Sequence, residues 1–351
     1  MAIVFDGVTK AFPDGTVALH ALDLAFDPGE FLVLLGPSGS GKTTACRLLA
    51  GLERPTAGRI MVEDQDVTNL PPRLRGMGMV FQNYALYSHK SVYENIAYPL
   101  RIRKMAGAEI DRSVRAMAEL LEIGRYLDRR PSQLSGGQTQ RVAVARALVW
   151  QPSLCLMDEP LSNLDALLRL HMRTELKRLH RELKKTFVFV THDQEEAMTL
   201  ATRVAVLREG SLIQFDDPRE IYRRPANRFI AEFIGRPAMN TFDGTVRGGV
   251  FHADGFTCPL PGRPDGPVVL GIRPEQIQIV DASAGDSARF AVDVVEAVEP
   301  DVLIFARSQA SKLIVRTASD DRAFKPGQPL HLRFPANALH VFDATSGARL
   351  P

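Results

Sequence analysis

Residues 36–43 read Gly36-Pro37-Ser38-Gly39-Ser40-Gly41-Lys42-Thr43, directly after the apolar run Phe31 to Leu35 and before a helix-forming run, Thr44 to Ala50. This is G-x-x-x-x-G-K-[ST] at a strand-to-helix junction, the setting in which backbone N–H groups can converge on phosphate at a helix N-terminus. The glycines at 36, 39 and 41 permit the tight turn. Lys42 is expected to neutralise the β- and γ-phosphates of a nucleotide. Thr43 offers a hydroxyl to Mg²⁺, an ion that keeps several waters and needs few protein ligands. A Gly/Ser-rich turn with a stray lysine would fit the letters but not the flanking strand and helix.

Two further runs, Ser153 to Met157 and Phe187 to Val190, are nearly all apolar rather than alternating. That pattern predicts strands buried on both faces, as central parallel strands are. Ligands of such sheets gather outside the carboxyl ends of the strands, so the residues after these three runs should meet in space. The second run ends in Asp158-Glu159-Pro160. Two acids at the end of a buried strand need a cation or a chemical task. Asp158 is expected to hold Mg²⁺ through water, and Glu159 to orient or deprotonate the attacking water. A helix N-cap would account for one acid but not for two adjacent ones. The third run ends Thr191-His192. A lone histidine is more often structural, but convergence would bring this one to the γ-phosphate and the attacking water.

The remaining composition narrows the class. At 351 residues the chain is long enough for two domains. With 45% hydrophobic and 24% charged residues it should fold, and a net charge of +2 carries no basic excess of the kind that marks nucleic-acid binders. Cys46, Cys155 and Cys258 are few, odd in number and far apart, which fits a reducing cytosol and implies neither a disulfide framework nor a metal site. No run of roughly 18 to 20 apolar residues could span a bilayer, and Met1 to Gly7 lacks the look of a secretion signal. Any membrane role therefore has to come through partners.

Along the chain, strand-like runs alternate with helical patterns up to Ile234, the texture of an α/β fold. Within it, residues 83–150 read as an inserted helical subdomain, with Val114, Met117, Leu120 and Leu121 at helical spacing. Past Gly235 the texture becomes short alternating segments such as Val268 to Ile272 and Leu330 to Phe334, which predicts a small all-β barrel or sandwich. The expected domains are 1–235 and 236–351.

Leu134-Ser135-Gly136-Gly137-Gln138, followed by a helical run from Arg141 to Val149, is a second small-residue helix N-terminus suited to phosphate. With this motif beside the phosphate loop and the Asp158-Glu159 pair, the sequence resembles the ATP-binding-cassette family of P-loop NTPases. The resemblance implies that the signature closes over the γ-phosphate held by the opposite subunit of a head-to-tail dimer. It implies further roles: Phe12 stacking on adenine, Thr44 beside the phosphates, Gln82 sensing Mg²⁺ and water, and Ser162-Asn163-Leu164-Asp165 as an inter-subunit loop. Thr139 departs from the arginine that many relatives place after the signature glutamine.

The likeness covers nearly the whole chain. Phe233 to Asn240 and Leu270 to Glu275 look like the tail of maltose-type and glycerol-3-phosphate-type importer ATPases, which carry an oligomer-binding (OB-like, TOBE-type) barrel with a regulatory or dimerising role. The segment from Ala85 to Asn95 resembles the groove that receives the coupling helix of a membrane subunit, so Tyr84, Tyr87, Ser88, His89 and Tyr93 are expected to form an exposed docking patch. Ser88 and Lys90 stand where many relatives have proline and an apolar residue.

The resemblance thus implies an ATP-hydrolysing importer subunit for a carbohydrate-type solute: sugar, polyol, glycerol or glycerol phosphate. Its expected partners are a second ATPase subunit, two transmembrane permeases and, through the complex, an extracytoplasmic solute-binding protein, with no nucleic acid. Its expected place is the cytoplasmic face of the inner membrane. Importers of polyamine, sulfate or iron use similar cassettes and remain alternatives, as does a soluble, non-transport ATPase. A barrel that captures a regulator would be compatible with transport.

Overall fold

The computed structural model describes residues 3–282, 284, 287–309, 311–319 and 324–351; Met1 and Ala2, where the first expected domain begins, lie outside them. The chain divides into two compact units, Met1–Arg219 and Glu220–Pro351.

In the first unit, a six-stranded sheet runs in the order Ser211–Asp216, Arg203–Arg208, Phe31–Leu35, Thr186–Thr191, Leu154–Asp158, Met77–Val80. Every pairing except the first is parallel, with Leu35 opposite Thr191, Asp158 opposite Val190 and Val80 opposite Met157. Strands Phe31–Leu35, Leu154–Asp158 and Thr186–Thr191 are buried at every position, as their unbroken apolar runs predict. Because these strands are parallel and in register, their carboxyl ends share one edge, and the chain that leaves them carries Gly36, Gln82, Glu159 and His192.

A second sheet, four-stranded and antiparallel (Val17–Phe26, Ile3–Ala11, Ala57–Val62, Gln65–Asp66), shares a core with the first. Leu22, Leu24, Phe5 and Ile60 of the one sheet join Leu32, Leu34, Leu156 and Val190 of the other, with Leu48 and Leu49 of helix Lys42–Ala50. That helix ends on a guanidinium. Arg75, 5% exposed, donates to the carbonyls of Leu48, Leu49, Thr68 and Leu70 at 2.6 to 2.9 Å. Two of those carbonyls belong to the last helical turn, which has no intrahelical partners for them.

The helical part comprises Val92–Ile102, Gly107–Leu120 and Gly136–Leu148. The first and third begin with capping boxes, Ser91 with Glu94 and Ser135 with Gln138, so each start is written in the sequence.

The second unit holds two five-stranded antiparallel sheets. Their inner faces form one core that includes Phe242, Phe251, Phe256, Phe290 and Phe334. Before them come two short helices, Pro218–Arg223 and Arg228–Phe233. Texture alone placed these with the first domain, whereas the compact units divide at Arg219. The physical reason is Arg273: only 2% exposed, it donates to the carbonyls of Tyr222, Ala231 and Ile234 and lies 4.1 Å from the Tyr222 ring centroid. One buried side chain ties both helices to the β-rich unit.

Arg75→Ala would leave four buried carbonyls without their donor. An expected loss of about 3 kcal/mol in chemical unfolding follows from the cost of unsatisfied buried groups; a variant as stable as the parent would show that water replaces the guanidinium. His340 makes a pH prediction. Burial, then the nearby Arg349 and Arg273 charges, push its imidazole from the ordinary 6.5 down to about 4. The unfolded chain therefore takes up a proton that the folded ring refuses. This histidine's contribution is intact above about pH 6.5 and is lost as pH falls toward about 4. His340→Gln should flatten that limb of a plot of melting temperature against pH, and an unchanged slope would refute the assignment.

Candidate functional site

At the shared strand edge, the loop after Leu35 turns into helix Lys42–Ala50 through Gly41, whose φ is +97°. A Cβ at Gly41 would stand 2.5 Å from the Ala18 carbonyl oxygen, so only glycine can start the helix there. Lys42 is buried, with Nζ donating to Gly36 O at 3.0 Å, Pro37 O at 2.7 Å and Ser40 Oγ at 3.2 Å. Burial pushes this ammonium down, while the charges of Glu159 and Asp158 pull it back up. A buried cation held mainly by weakly charged carbonyls is well placed to exchange them for a polyanion.

Thr43 Oγ1 donates to Asp158 Oδ1 at 2.9 Å, across from Arg47 Nε at 4.0 Å from Oδ2. Burial raises the Asp158 carboxyl, an effect that the Thr43 hydrogen bond and Arg47 only partly offset. A hydroxyl and a carboxylate in contact are a hard-oxygen donor pair suited to Mg²⁺ with water in its other positions. No cluster of three or more His, Cys, Asp or Glu that could hold a metal occurs among the described residues.

Glu159 sits at φ +46°, a left-handed conformation that a side-chain-bearing residue adopts only when its surroundings hold it there. They do: its N–H donates to Val190 O at 3.1 Å and its carbonyl accepts from Ser162 Oγ at 2.9 Å. The carboxylate is thereby aimed between Gln82, whose Nε2 is 3.4 Å from Oε2, and His192, whose Nδ1 is 3.4 Å from Oε1. Residues 82, 159 and 192, far apart in sequence, thus converge on one side chain, which can accept a proton from water. Asn163 Nδ2 also donates to Gln82 O at 3.1 Å, joining the 162–165 segment to the same cluster.

Leu134–Gln138 lies elsewhere. No hydrogen bond or ion pair links it to residues 36–44 among the described residues. Ser135 and Gly136 are exposed, and the Ser135/Gln138 box fixes the helix start. Thr139 turns its hydroxyl inward to Ser135 O at 3.0 Å. Phe12 is half-buried, with Lys10 Nζ 4.9 Å from its ring centroid, so one ring face is already engaged by a cation.

The docking segment is only partly a surface. Tyr87, Ser88 and His89 are exposed and Tyr93 is half-buried. Tyr84 departs from the exposed patch expected of it: it is 8% exposed, and Arg146 clamps its carbonyl and that of Ala85 at 2.9 and 2.7 Å. Arg146 and the fully buried Asn95, which bonds to both the N–H and the carbonyl of Tyr87, set the loop's shape. Sequence reading missed these two, along with Arg169 and Glu196. Arg169 joins Leu164 O (3.0 Å) to Asp193 Oδ2 (3.4 Å), and Glu196 accepts from Thr191 Oγ1 at 2.5 Å, next to His192. The only sequence signal was the acidic run Asp193 to Glu196, which reads as an ordinary helix start.

Comparison with known proteins places these features. A family model described as ABC transporter matches residues 19–162, one described as MalK OB fold domain matches 235–277, and a TOBE domain model matches 270–342. Among curated relatives, the sn-glycerol-3-phosphate import ATP-binding protein UgpC of Salmonella typhi is 46% identical over 98% of both chains. Its counterpart in Yersinia pseudotuberculosis is 47% identical over 98% of this chain and 97% of that one. Among solved structures, cbiO1 from Clostridium perfringens, part of the ABC transporter complex cbiONQ, superposes with a TM-score of 0.59 at 28% identity, covering 63% of this chain and 90% of that chain. A bacterial ABC transporter cassette solved as a dimer gives a TM-score of 0.57 at 33% identity, over 62% of this chain and 99% of that one.

Arg169→Ala should loosen the hold between the 162–165 segment and the His192 turn without touching the phosphate loop. We expect ATP turnover to fall about ten-fold with little change in KM for ATP, since misplacement of reacting groups costs rate before binding. A rise in KM with unchanged kcat would instead put Arg169 in nucleotide binding.

Proposed function

The chain belongs to the ABC transporter family, and on that premise we propose that its Glu159 cluster drives ATP hydrolysis to power solute import through separate membrane subunits. The protein is the ATPase subunit of an importer of the glycerol-3-phosphate and carbohydrate type, supported by the likeness to UgpC along the whole chain. Among the described residues no helix is long and apolar enough to cross a membrane, so the translocation path belongs to permease partners.

In our reading, Lys42 leaves the carbonyls of Gly36 and Pro37 for the β- and γ-phosphates, while the backbone N–H groups of residues 38–44 surround them and Phe12 stacks on the base. Thr43, Asp158 and Gln82 would hold Mg²⁺, which when bound would neutralise charge on the phosphates. Glu159 takes the proton of the attacking water. Gln82 and His192 hold that water and the γ-phosphate in line, and the strained Glu159 backbone keeps the carboxylate aimed there rather than at solvent.

The exposed start of the signature helix at Ser135 and Gly136 bonds only locally, an arrangement that supports a head-to-tail dimer in which each signature completes its partner's site. Ser162–Asp165, bonded to the Gln82 carbonyl through Asn163, is well placed to report that closure. In our reading the unit that ends at Arg219 acts as the nucleotide-binding domain and the unit from Glu220 onward as the regulatory and dimerising barrel. Tyr87, Ser88, His89 and Tyr93 receive the permease, with Tyr84 as support beneath them. A solute-binding protein outside the membrane and a position on the cytoplasmic face complete the assembly.

The observation that carries the catalytic assignment is the meeting of Gln82, Glu159 and His192 within 3.4 Å contacts at the end of the buried strands. Glu159→Gln should keep ATP binding and lower turnover about a hundred-fold or more, as expected for loss of a general base. Wild-type hydrolysis by this variant, measured on the complex reconstituted with its permeases, would remove Glu159 from that role.

A further inference from the structure

In the second unit, a pocket of about 420 Å³ is lined by Tyr222, Arg223, Arg224, Arg273, His340 and Arg349, with Gln276 and residues 337–339 completing the wall. Its ionisable lining is four arginines, a histidine and a tyrosine, with no carboxylate. Among the described residues, neither Arg223 nor Arg349 has a carboxylate within ion-pair distance. The nearest acids are engaged at its edge: Glu220 lies 3.9 Å from Arg224, and Glu275 accepts from the Tyr222 hydroxyl at 2.5 Å.

The cations crowd one another. Burial, then Arg224 and Arg263, press the Arg349 guanidinium below its ordinary value, and Arg273 is almost wholly buried with only carbonyls as hydrogen-bond partners. Its Nε and the Nδ1 of His340, a ring more than nine-tenths buried, have no hydrogen-bond partner. Burying the Arg273 charge against carbonyls alone costs stability, and an anion bound beside it offsets that cost.

We propose that this pocket is a binding site for a phosphate group, taken up as inorganic phosphate or as a small phosphomonoester. Guanidinium forks match tetrahedral oxyanions, so Arg224 and Arg349 supply the donors while Arg273 contributes fixed buried charge. His340, held neutral at pH 7, adds a hydrogen-bonding group without further repulsion. The volume exceeds that of several waters, at about 30 Å³ each, so a carbon skeleton can accompany the phosphate. This inference stands independently of the transport reading, because none of its residues belongs to the nucleotide site.

The test is calorimetric titration of the full, nucleotide-free chain with inorganic phosphate and, separately, glycerol 3-phosphate at constant ionic strength. The same titrations on Lys42→Ala remove any contribution of the phosphate loop. We expect one site per chain with sub-millimolar Kd that survives Lys42→Ala, weakens about ten-fold or more in both Arg349→Ala and Arg224→Ala, and is unchanged in Arg289→Ala, a charge control elsewhere on the unit. Tighter binding of the ester would mark a phosphomonoester site, and tighter binding of the free ion a phosphate site. Absence of binding by either compound up to about 10 mM, or affinity unmoved by Arg224→Ala in a chain that melts like the parent, would overturn the proposal.

Discussion

The first unit is organised around a carboxylate in an expensive place. Asp158 ends a strand whose every residue is buried, and burial raises its carboxyl even though Thr43 donates to it at 2.9 Å. Placing a charge there is tolerable only if cations and donors stand at the same strand edge, and Lys42 and Arg47 supply positive charge while the Thr43 hydroxyl donates a hydrogen bond. The parallel register does the rest. Once the strands 31–35, 154–158 and 186–191 pair in phase, Glu159 and His192 have no choice but to face the same edge. The meeting of Gln82, Glu159 and His192 is thus a consequence of sheet registry, with the left-handed backbone at Glu159 supplying the final orientation.

A second device recurs throughout the chain: a guanidinium bound to backbone carbonyls where a helix or loop ends. Arg75 does this for helix Lys42–Ala50, Arg273 for the two helices after Arg219, Arg146 for residues 84 and 85, and Arg169 for Leu164. Terminal carbonyls carry partial negative charge and lack partners, so one five-donor side chain satisfies several at once without needing a carboxylate. The cost is borne by Arg75 and Arg273, buried cations held by carbonyls, whereas Arg169 also pairs with Asp193. In the first unit the 75 and 146 positions stand alone, whereas in the second unit Arg273 has three more arginines around it, which is why a positive pocket appears there.

What could be read from the sequence was whatever repeats at short range. The phosphate loop, the three apolar strands, the capping boxes at Ser91 and Ser135 and the alternating segments past Gly235 all depend on residues within a few positions of one another. Asn95, Arg146, Arg169 and Glu196 could not be read in this way, because each acts on a backbone group or side chain whose nearness is created by folding; Arg146 meets the Tyr84 carbonyl only once helix Gly136–Leu148 lies beside the loop. Tyr84 illustrates the same limit. Tyr84, Tyr87 and Tyr93 were expected to share one exposed patch, but a left-handed turn at Tyr84 and Ala85 sends the first ring inward and leaves Tyr87 outside. The division at Arg219 likewise hinges on Arg273, far along the chain from the helices it secures.

These long-range contacts also link the Gln82–Glu159 cluster to the loop that carries Tyr87. Gln82 bears on Glu159 through its side chain, and its carbonyl is held by Asn163. Two residues on, the Tyr84 and Ala85 carbonyls are clamped by Arg146, whose guanidinium also lies 5.6 Å from the Tyr87 ring centroid. Arg146 sits on the helix that begins with the signature, so displacement of that helix by a closing partner must move the Tyr87 loop or break its hydrogen bonds. Since both bonds have a charged donor, moving as a unit costs less than separating. The loop is thus held at both ends, by Asn163 at Gln82 and by Arg146 at Tyr84 and Ala85, so a shift of either anchor is transmitted to the backbone that leads to Tyr87.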